Sequence, residues 1–344
     1  MTSSKRLAWV DLAKGMSMIL VVMMYAAYNT GTHTGSVGFL HYVIAFATPF
    51  RMPEFFLISG LFLSTVIARP WQRYADRRFV HYMYFYVLWA FIMIALKVGI
   101  FARDPIAMVA DLARAIVQPY GVLWFVYMLG LFAIATKLLW QFRIPHWLVI
   151  AVAMGLQIAS INVSSYIVTQ FTAYFVFFYI GYALAPQIFR VAGWVAENPG
   201  KGIAALVAWF VVNGLLVFLP SFELLPGETR MGFAAFPPLH FLLGVAGAVA
   251  LCAFSVVLMD RPYTGWLRWI GGHSLVVYLA FTIPMSVFRE IAMNTGLITQ
   301  TGPLSLAVFV VALTTPIMLY FAIGLTGFGH FLFERPGWAR IKSE

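Results

Sequence analysis

Residues 241–259 read FLLGVAGAVALCAFSVVLM and contain no charged side chain across 19 positions. A transmembrane helix needs about 20 apolar residues, so this stretch is long enough to cross a lipid bilayer. Similar apolar stretches recur along the chain and begin near residues 9, 38, 79, 120, 145, 165, 201, 239, 272 and 304. The sequence therefore predicts an all-α, polytopic membrane protein with about ten transmembrane helices, in a single domain over residues 1–344.

The composition supports this prediction and excludes two alternative classes of protein. Of the 344 residues, 62% are hydrophobic and only 10% are charged, whereas soluble domains carry about 25% charged residues. A transmembrane β-barrel is excluded because its strands alternate apolar and polar residues, and the apolar stretches here are unbroken. Contacts with membrane lipids are therefore expected along most of the chain.

The distribution of Lys and Arg predicts the orientation, because cytoplasmic loops of membrane proteins are enriched in these residues. With both termini in the cytoplasm, the cytoplasmic segments hold fifteen of them and the opposite segments four. The fifteen are Lys5, Arg6, Arg69, Arg73, Arg77, Arg78, Lys137, Arg143, Arg190, Lys201, Arg261, Arg268, Arg335, Arg340 and Lys342; the four are Arg103, Arg114, Arg230 and Arg289. We interpret the net charge of +10 as a topology signal, and no nucleic acid partner is expected.

Two polar stretches between the apolar ones are expected on the outer side. Residues 102–118 are too polar to span a membrane, and their apolar side chains have the spacing of an amphipathic surface helix. Residues 220–238 carry charges among prolines and glycines, which is typical of a loop that can cap a site. At the N-terminus, Lys5 and Arg6 before an apolar run are also typical of a signal peptide, but Asp11 and Lys14 interrupt that run and favour a retained helix.

The first apolar stretch contains ionisable residues, which cost about 2.5–3.5 kcal/mol each at the centre of a membrane helix. Asp11 and Lys14 are three residues apart, so they share a helix face and can pair. Two interpretations stay open: an ion pair that anchors the helix, or the charged rim of a cavity that faces the cytoplasm. Tyr25 follows about 16 Å deeper, at 1.5 Å per residue, and by itself is typical of packing.

The second apolar stretch carries Arg51 and Glu54, three residues apart, with prolines at positions 49 and 53. Proline removes a backbone donor and breaks a helix, and broken helices at membrane depth normally line cavities. The sequence leaves open whether Arg51 and Glu54 form a structural pair or bind a polar acceptor.

Arg69, Arg73, Arg77 and Arg78 fall within ten residues before the third apolar stretch. Their ordinary interpretation is an anchor on anionic lipids. Their functional interpretation is a phosphate clamp, because the guanidinium fork matches phosphate oxygens bidentately. Four arginines in so short a segment exceed what topology alone requires.

Other common sites lack support in the sequence. Cys252 is the single cysteine and no histidine pair has metal-ligand spacing, so neither an intramolecular disulfide nor a protein-bound metal is expected. A Gly-rich phosphate loop and a Gly-x-Ser-x-Gly elbow are also missing from the sequence. Buried histidines such as His41 are more often hydrogen-bonded structural residues than bases.

Taken in order, these clusters resemble the integral-membrane acyltransferase-3 family, whose members transfer acyl groups to extracytoplasmic glycans and some small molecules. The resemblance spans nearly the whole chain. It rests on Asp11 with Lys14-Gly15, residues 53–60 (PEFFLISG), the arginines before the third stretch, Leu123-Trp-Phe125, residues 272–279 (GHSLVVYL) and Phe333-Glu-Arg-Pro336.

The resemblance implies ten transmembrane helices and a cytoplasmic acyl-CoA donor whose phosphates meet the basic loop. By this resemblance, Arg73, Arg77 and Arg78 are the donor-binding candidates, and we count Arg69 of the same loop with them. The usual arginine spacing of three is replaced here by gaps of four and one, which leaves the part of each arginine open. Arg51, Ser59 and Trp124 are the residues expected to bind the acceptor, and no permanently bound cofactor is expected.

The chain departs from the family at two expected histidines. The family has a basic residue, ten further residues and then a histidine in the first helix, but here Lys14 is followed by Tyr25. A late helix position that is histidine in many members is Phe281 here. An imidazole with a pKa near 6.5 takes a hydroxyl proton at neutral pH, whereas tyrosine, with a pKa of about 10, is a poor base.

Two other residues are candidates for the missing base. His41 is the first choice, because it lies shortly into the second stretch from the same side as Tyr25. Glu54 is the second, if a hydrophobic cavity raises its pKa. Tyr25 would then orient the acceptor or stabilise an oxyanion through its hydroxyl, with Asp11 and Lys14 close to the site.

The resemblance thus implies a membrane-bound O-acyltransferase of the bacterial inner membrane. It is expected to move an acetyl or succinyl group from cytoplasmic acyl-CoA to a hydroxyl of an exported saccharide or a lipid-linked glycan. The alternative is a catalytically degenerate member that acts as a transporter, or as a binding or assembly component of a glycan or lipid pathway.

Overall fold

The computed structural model describes residues 3–296 and 298–341, with the backbone alone for residues 3–7 and 101. Lys342 and the side chains of Lys5 and Arg6, which the orientation count includes, lie outside this description. The α-helices in chain order are α1 (Ser3–Thr34), α2 (Phe39–Ala47), α3 (Arg51–Leu61), α4 (Trp71–Ala75), α5 (His81–Ile94), α6 (Pro105–Val117), α7 (Trp124–Gln141), α8 (His146–Ile158), α9 (Tyr166–Ala183), α10 (Ala185–Glu197), α11 (Pro199–Phe218), α12 (Pro237–Leu258), α13 (Gly265–Gly272), α14 (Ser274–Ala280), α15 (Thr282–Asn294) and α16 (Thr301–Thr326).

Short elements connect or extend these helices. Two π-helical turns, Asp76–Val80 and Ala95–Phe101, flank α5 on either side. One antiparallel hairpin pairs β1 (Glu223–Leu224) with β2 (Thr229–Arg230). The 3₁₀ turns are Gly121–Leu123, Phe233–Ala235, Pro262–Thr264, His330–Leu332 and Gly337–Ala339. The predicted outer loop at residues 220–238 therefore contains a small hairpin that its sequence did not indicate.

Helix length and apolarity agree with a multi-pass membrane protein. Among the described residues, seven helical segments are long and apolar enough to cross a membrane, and the bent pair α14–α15 makes up to eight. The bend in that pair is 47° and falls at Phe281. The stretches predicted to begin near residues 38 and 145 form shorter helices: α2 and α3 have 9 and 11 residues, and α8 has 13. The count of about ten and the orientation of the termini stay predictions.

Two local predictions are confirmed. The second apolar stretch is broken, because α2 ends at Ala47 and α3 begins at Arg51. The amphipathic segment at residues 102–118 forms α6, whose first turn is capped by the Asp104 side chain accepting from the Ala107 backbone N–H. The position of α6 on the outer surface stays a prediction.

The chain divides into two compact units, each built from discontinuous segments. Unit 1 comprises residues 1–58 and 184–319, and unit 2 comprises residues 59–183 and 320–344. In unit 1, α1 packs mainly against α13 and α12. In unit 2, α7 packs against α5 and α9, and α8 packs against α9.

Candidate functional site

A cavity of about 400 Å³ lies in unit 2 beside α4 and the π-turn that follows it. All four arginines predicted to bind the donor line it, together with a fifth arginine from near the C-terminus. We term this site the arginine cavity; it is lined by Val66, Arg69, Arg73, Tyr74, Arg77, Arg78, His81 and Arg335. Within the described residues, none of the first four arginines makes an ion pair. Four unpaired guanidinium groups around one cavity repel one another, so an anion is the favoured occupant.

The π-turn Asp76–Val80 explains how the irregular arginine spacing converges on this cavity. At its end the His81 backbone N–H donates to the Asp76 carbonyl, five residues back. In an α-helix two residues five positions apart point about 140° from each other, since each residue turns the helix by about 100°. Hydrogen bonding from i to i+5 widens the turn and brings such residues closer to alignment. Arg73 and Arg77 are four positions apart and so share a helix face, and the π-turn brings Arg78 closer to that face; all three line the cavity.

Asp76 lies among these arginines, but its carboxylate is committed to Arg335. The Arg335 Nη2–H donates to Asp76 Oδ2 at 2.6 Å and its Nη1–H donates to the Asp76 backbone oxygen at 2.8 Å. The other carboxylate oxygen accepts from the Ile341 backbone N–H at 2.8 Å. The Arg335 side chain is only 7% exposed. Asp76 thus holds Arg335 at the cavity and leaves the other four arginines unneutralised.

The segment that carries Arg335 is held along α5 by two further hydrogen bonds. Tyr84 Oη donates to the Phe331 carbonyl, and Trp89 Nε1 donates to the Leu332 carbonyl, both at 2.9 Å. The Trp89 ring also stacks on Phe333 at 5.7 Å between centroids. Arg335 was absent from the predicted site, although it belongs to the Phe333-Glu-Arg-Pro336 motif. Its contacts bridge more than 250 residues of sequence, which local pattern reading does not detect.

In unit 1, two glycines bring α1 and α13 into backbone contact. A Cβ at Gly271 would overlap the backbone oxygen of Asp11, and a Cβ at Gly15 would overlap the backbone oxygen of Leu267. Small residues permit such close crossings of membrane helices. The crossing places Arg268 and His273 near Asp11. These two residues and Lys14 interact electrostatically with the Asp11 carboxylate. The motifs at residues 11–15 and 272–279 therefore meet in space.

Glu54 is a fully buried carboxyl in α3, with an exposed fraction of 0%. Neither of its oxygens has a hydrogen-bond partner within the described residues. The possible structural pair with Arg51 is not formed, because Arg51 Nη1 donates instead to Thr48 Oγ1 at 2.9 Å and to the Ile44 carbonyl at 3.4 Å. Lys14 is the charged group that acts on Glu54. The buried carboxyl is thus available for a ligand contact or a proton.

Tyr25 and Phe281 pack against each other in unit 1. Their ring centroids are 5.5 Å apart, with an angle of 46° between the ring planes. These are the two positions at which the family resemblance led us to expect histidine. The structure therefore joins them in one place, and an aromatic pair stands where two imidazoles were expected.

His41 is buried at the start of α2, with both ring nitrogens in hydrogen bonds. Its Nδ1 accepts from the Gly38 backbone N–H at 3.1 Å, so its Nε2 carries the hydrogen that is donated to the Pro226 carbonyl at 3.1 Å. Tyr28, whose ring lies 5.7 Å from His41, bonds the Thr229 hydroxyl through its own at 2.7 Å. His41 thus fastens the β1–β2 hairpin to α2, and Tyr28 fastens it to α1. A base at position 41 would first have to give up the bond from Gly38.

Ser59 and Trp124, which were expected to bind the acceptor, belong to unit 2. Ser59 is half-buried in α3. Trp124 begins α7 and is 8% exposed, with its ring against Tyr174 at 5.5 Å and against Tyr166 at 6.4 Å. Trp124 therefore belongs to an aromatic cluster of this unit.

Arg289 is a second buried cation that the sequence counted only as a topology signal. It is 7% exposed in α15, and its Nη1–H donates to Asn29 Oδ1 at 3.4 Å. Its Nε has no acceptor among the described residues. Asn29 is held by its own amide, which donates to the Tyr25 carbonyl at 3.0 Å. Arg289 of α15 therefore contacts α1 at Asn29, one helical turn after Tyr25.

Comparison with known proteins identifies a family. No curated protein and no solved structure matches the chain. The family model described as an acyltransferase domain matches residues 7–323. This match covers nearly the whole chain and includes the clusters at residues 11–15, 53–60 and 272–279 and the arginines at positions 69, 73, 77 and 78. The chain therefore belongs to the acyltransferase-3 family of multi-pass membrane proteins.

Proposed function

We propose that this protein is an O-acyltransferase of the bacterial inner membrane that uses cytoplasmic acyl-CoA. It moves an acetyl or succinyl group to a hydroxyl of an exported saccharide or a lipid-linked glycan. The reaction converts a thioester and an alcohol into an ester and free coenzyme A. One proton leaves the hydroxyl, and one arrives at the departing thiolate.

The observation that carries this proposal is the arginine cavity. Coenzyme A bears a pyrophosphate and a phosphomonoester, which together carry about four negative charges at neutral pH because the second pKa of a phosphomonoester is about 6. Four arginines without an ion pair in the described part of the chain line the cavity, and guanidinium groups bind phosphate oxygens bidentately. A cavity of about 400 Å³ suits the phosphate-bearing end of the donor.

Proton removal from the acceptor is assigned to Glu54. A general base needs a free lone pair, and both Glu54 oxygens are without hydrogen bonds within the described residues. An ionisable residue inside a membrane protein normally marks a functional site. His41 is the competing assignment, but the lone pair on its Nδ1 already accepts the hydrogen bond from the Gly38 N–H.

The experiment that tests the proposal measures donor binding directly. The purified full-length protein in nanodiscs is titrated with coenzyme A, and the wild type is compared with Arg73→Ala and with Arg143→Gln. Arg73 is an exposed residue of the cavity, and Arg143 is an exposed arginine of the same unit outside it. A hydrogen bond to a charged group contributes about 1.5–3 kcal/mol, so we expect Arg73→Ala to raise the dissociation constant about 10- to 100-fold. Arg143→Gln should bind like the wild type, and a wild type that does not bind coenzyme A would falsify the proposal.

A second function is favoured by the Tyr25–Phe281 pair. With aromatic rings at both expected histidine positions, the protein would bind acyl-CoA without turning it over and serve as a binding or assembly component. The two functions differ in thiol release from acetyl-CoA, measured with a thiol reagent over hours. Turnover that depends on Glu54 supports the enzyme, whereas tight binding with no thiol release in any acceptor mixture supports the second function.

A further inference from the structure

Lys137 is a buried lysine directly behind the arginine cavity. The sequence placed it in a cytoplasmic loop, but the structure places it in α7 with an exposed fraction of 3%. Its ammonium donates to the Ile67 carbonyl at 2.5 Å and to the Arg69 carbonyl at 3.0 Å. These carbonyls belong to the backbone from which Arg69 enters the cavity.

Three aromatic rings complete the surroundings of this ammonium. Its nitrogen lies 4.3 Å from the ring centroid of Trp140, 5.4 Å from that of Tyr74 and 5.7 Å from that of Trp71. Ring faces attract cations through their quadrupole, and the effect grows when the cation is desolvated. No carboxylate pairs with Lys137 within the described residues. Its positive charge is therefore stabilised locally without being neutralised.

The face of α7 that carries Lys137 also holds the rest of the arginine-bearing segment. Ala133 and Gln141 lie four residues before and after Lys137, and residues at this spacing share one helix face. Tyr74 Oη donates to the Ala133 carbonyl at 2.7 Å, and Trp71 Nε1 donates to Gln141 Oε1 at 2.9 Å. One face of α7 thus fixes the segment at three levels, with Lys137 in the middle.

Bracing alone does not explain a cation at this position. A neutral amide could donate to the same carbonyls, and it would not add a like charge behind four unpaired arginines. A buried charge also carries a desolvation penalty that a neutral side chain avoids. The charge lowers the energy of an anion in the cavity, so binding of the ligand offsets the penalty.

We propose that Lys137 is a positioning residue of the arginine cavity. It holds the backbone of residues 67–69 so that Arg69 faces the anion, and its unneutralised charge strengthens the attraction of the cavity for the phosphates of the donor. This inference rests on the proposed donor binding described above.

The test compares Lys137→Gln and Lys137→Met with the wild type, using coenzyme A as the ligand. Lys137→Gln keeps a donor and removes the charge, whereas Lys137→Met removes both. Lys97→Met serves as the matched control, because Lys97 is an exposed lysine of the same unit outside the cavity. Binding is titrated at low and at high salt, and thermal unfolding is measured without ligand.

The proposal predicts that affinity at low salt falls about tenfold in Lys137→Gln and further in Lys137→Met. Both variants should lose less affinity than the wild type when salt is raised, because screening acts on the charge that they lack. Lys97→Met should match the wild type in both respects. A purely structural lysine would instead lower the unfolding temperature and leave the affinity and salt dependence of the folded protein unchanged, and that result overturns the inference.

A further variant decides the case in which neither Lys137 variant folds. Trp140→Leu keeps the lysine and removes its nearest ring from a position that is 40% exposed. We expect it to weaken coenzyme A binding about threefold, and unchanged binding there overturns the inference. Failure of the wild type to bind coenzyme A would count against the proposed function itself, which separates the two failures.

Discussion

The arginine cavity of unit 2 and the buried carboxyl of Glu54 in unit 1 differ in the sign, the number and the exposure of their ionisable groups. In the cavity, four arginines line an open volume without an ion pair among the described residues, and the one acid beside them, Asp76, pairs with Arg335. In unit 1, Glu54 is fully buried without a hydrogen-bond partner within the described residues. An open cluster of positive charges is stabilised by binding a soluble anion, because the cations repel one another. A single buried carboxyl is suited to exchanging a proton.

The same two regions also differ in how well they match the family resemblance, which predicts arginines in one and histidines in the other. The four arginines that the resemblance implies for donor binding line one cavity. The two positions at which the resemblance leads us to expect histidine lie together, since the rings of Tyr25 and Phe281 are in contact. Neither side chain is an imidazole. We infer that donor binding follows the usual pattern and that proton removal takes another route.

The largest effect is expected from removing two charges of the cavity. The double variant Arg77→Gln/Arg78→Gln should raise the dissociation constant for coenzyme A by at least about 100-fold, since each charged contact contributes about 1.5–3 kcal/mol. Isothermal titration measures this directly. The control Arg190→Gln/Lys201→Gln removes the same charge from exposed positions of unit 1 and should bind normally. An equal loss in the control would mean that net charge, and not the cavity, holds the ligand.

The next effect concerns the buried carboxyl. Glu54→Gln preserves shape and removes the base, so kcat should fall about 100-fold or more while the donor KM stays the same. Thiol release from acetyl-CoA with an acceptor mixture measures both constants. Glu197→Gln, at an exposed position, is the control. Wild-type turnover in Glu54→Gln would show that Glu54 is not the base and would leave His41 as the remaining candidate.

A gain of about tenfold in kcat is expected when Tyr25 is replaced by histidine. An imidazole with an ordinary pKa near 6.5 is largely neutral at pH 7.5 and accepts a proton far more readily than a phenol. Tyr25→Phe is the control, because it keeps the ring against Phe281 and removes only the hydroxyl. A gain in Tyr25→His alone shows that the aromatic pair faces the acceptor, and identical rates in all three proteins show that it does not.

The smallest effect on turnover is expected at the hairpin. His41→Gln and Tyr28→Phe each remove hydrogen bonds that contribute about 1 kcal/mol apiece, so both should loosen residues 223–230 and change kcat less than about threefold. Hydrogen exchange of the hairpin amides reports the loosening. A drop of about 100-fold in His41→Gln alone would instead identify His41 as the base.

Several features of the site could be predicted because they are local. The run of arginines, the prolines that break the second stretch and the order of the family motifs are all read within short windows of sequence. The placement of Arg78 beside Arg73 and Arg77 could not be predicted, because the π-turn that brings it closer to their helix face has no clear sequence signal. The parts of Arg335 and Lys137 were missed for another reason, since each depends on partners at least about 70 residues away in the chain.

The Arg51–Glu54 pair shows the converse limit. Two opposite charges three residues apart favour pairing on a helix. The break between α2 and α3 turns Arg51 toward Thr48 and the Ile44 carbonyl, which leaves Glu54 in the apolar interior. Spacing alone therefore described a possible contact, and packing decided against it.

By itself, the amino-acid sequence determined that this chain is a helical membrane protein, and it predicted where the candidate site residues lie. Long apolar runs and scarce charges are energetic facts of each segment, which hold whatever the segments pack against. The tertiary structure alone decided which charges are neutralised, because Asp76 pairs with Arg335, whereas neither Glu54 oxygen has a hydrogen-bond partner in the part of the chain that the structure describes. Pairing depends on distance and orientation across the fold, and those quantities are set only when distant helices meet.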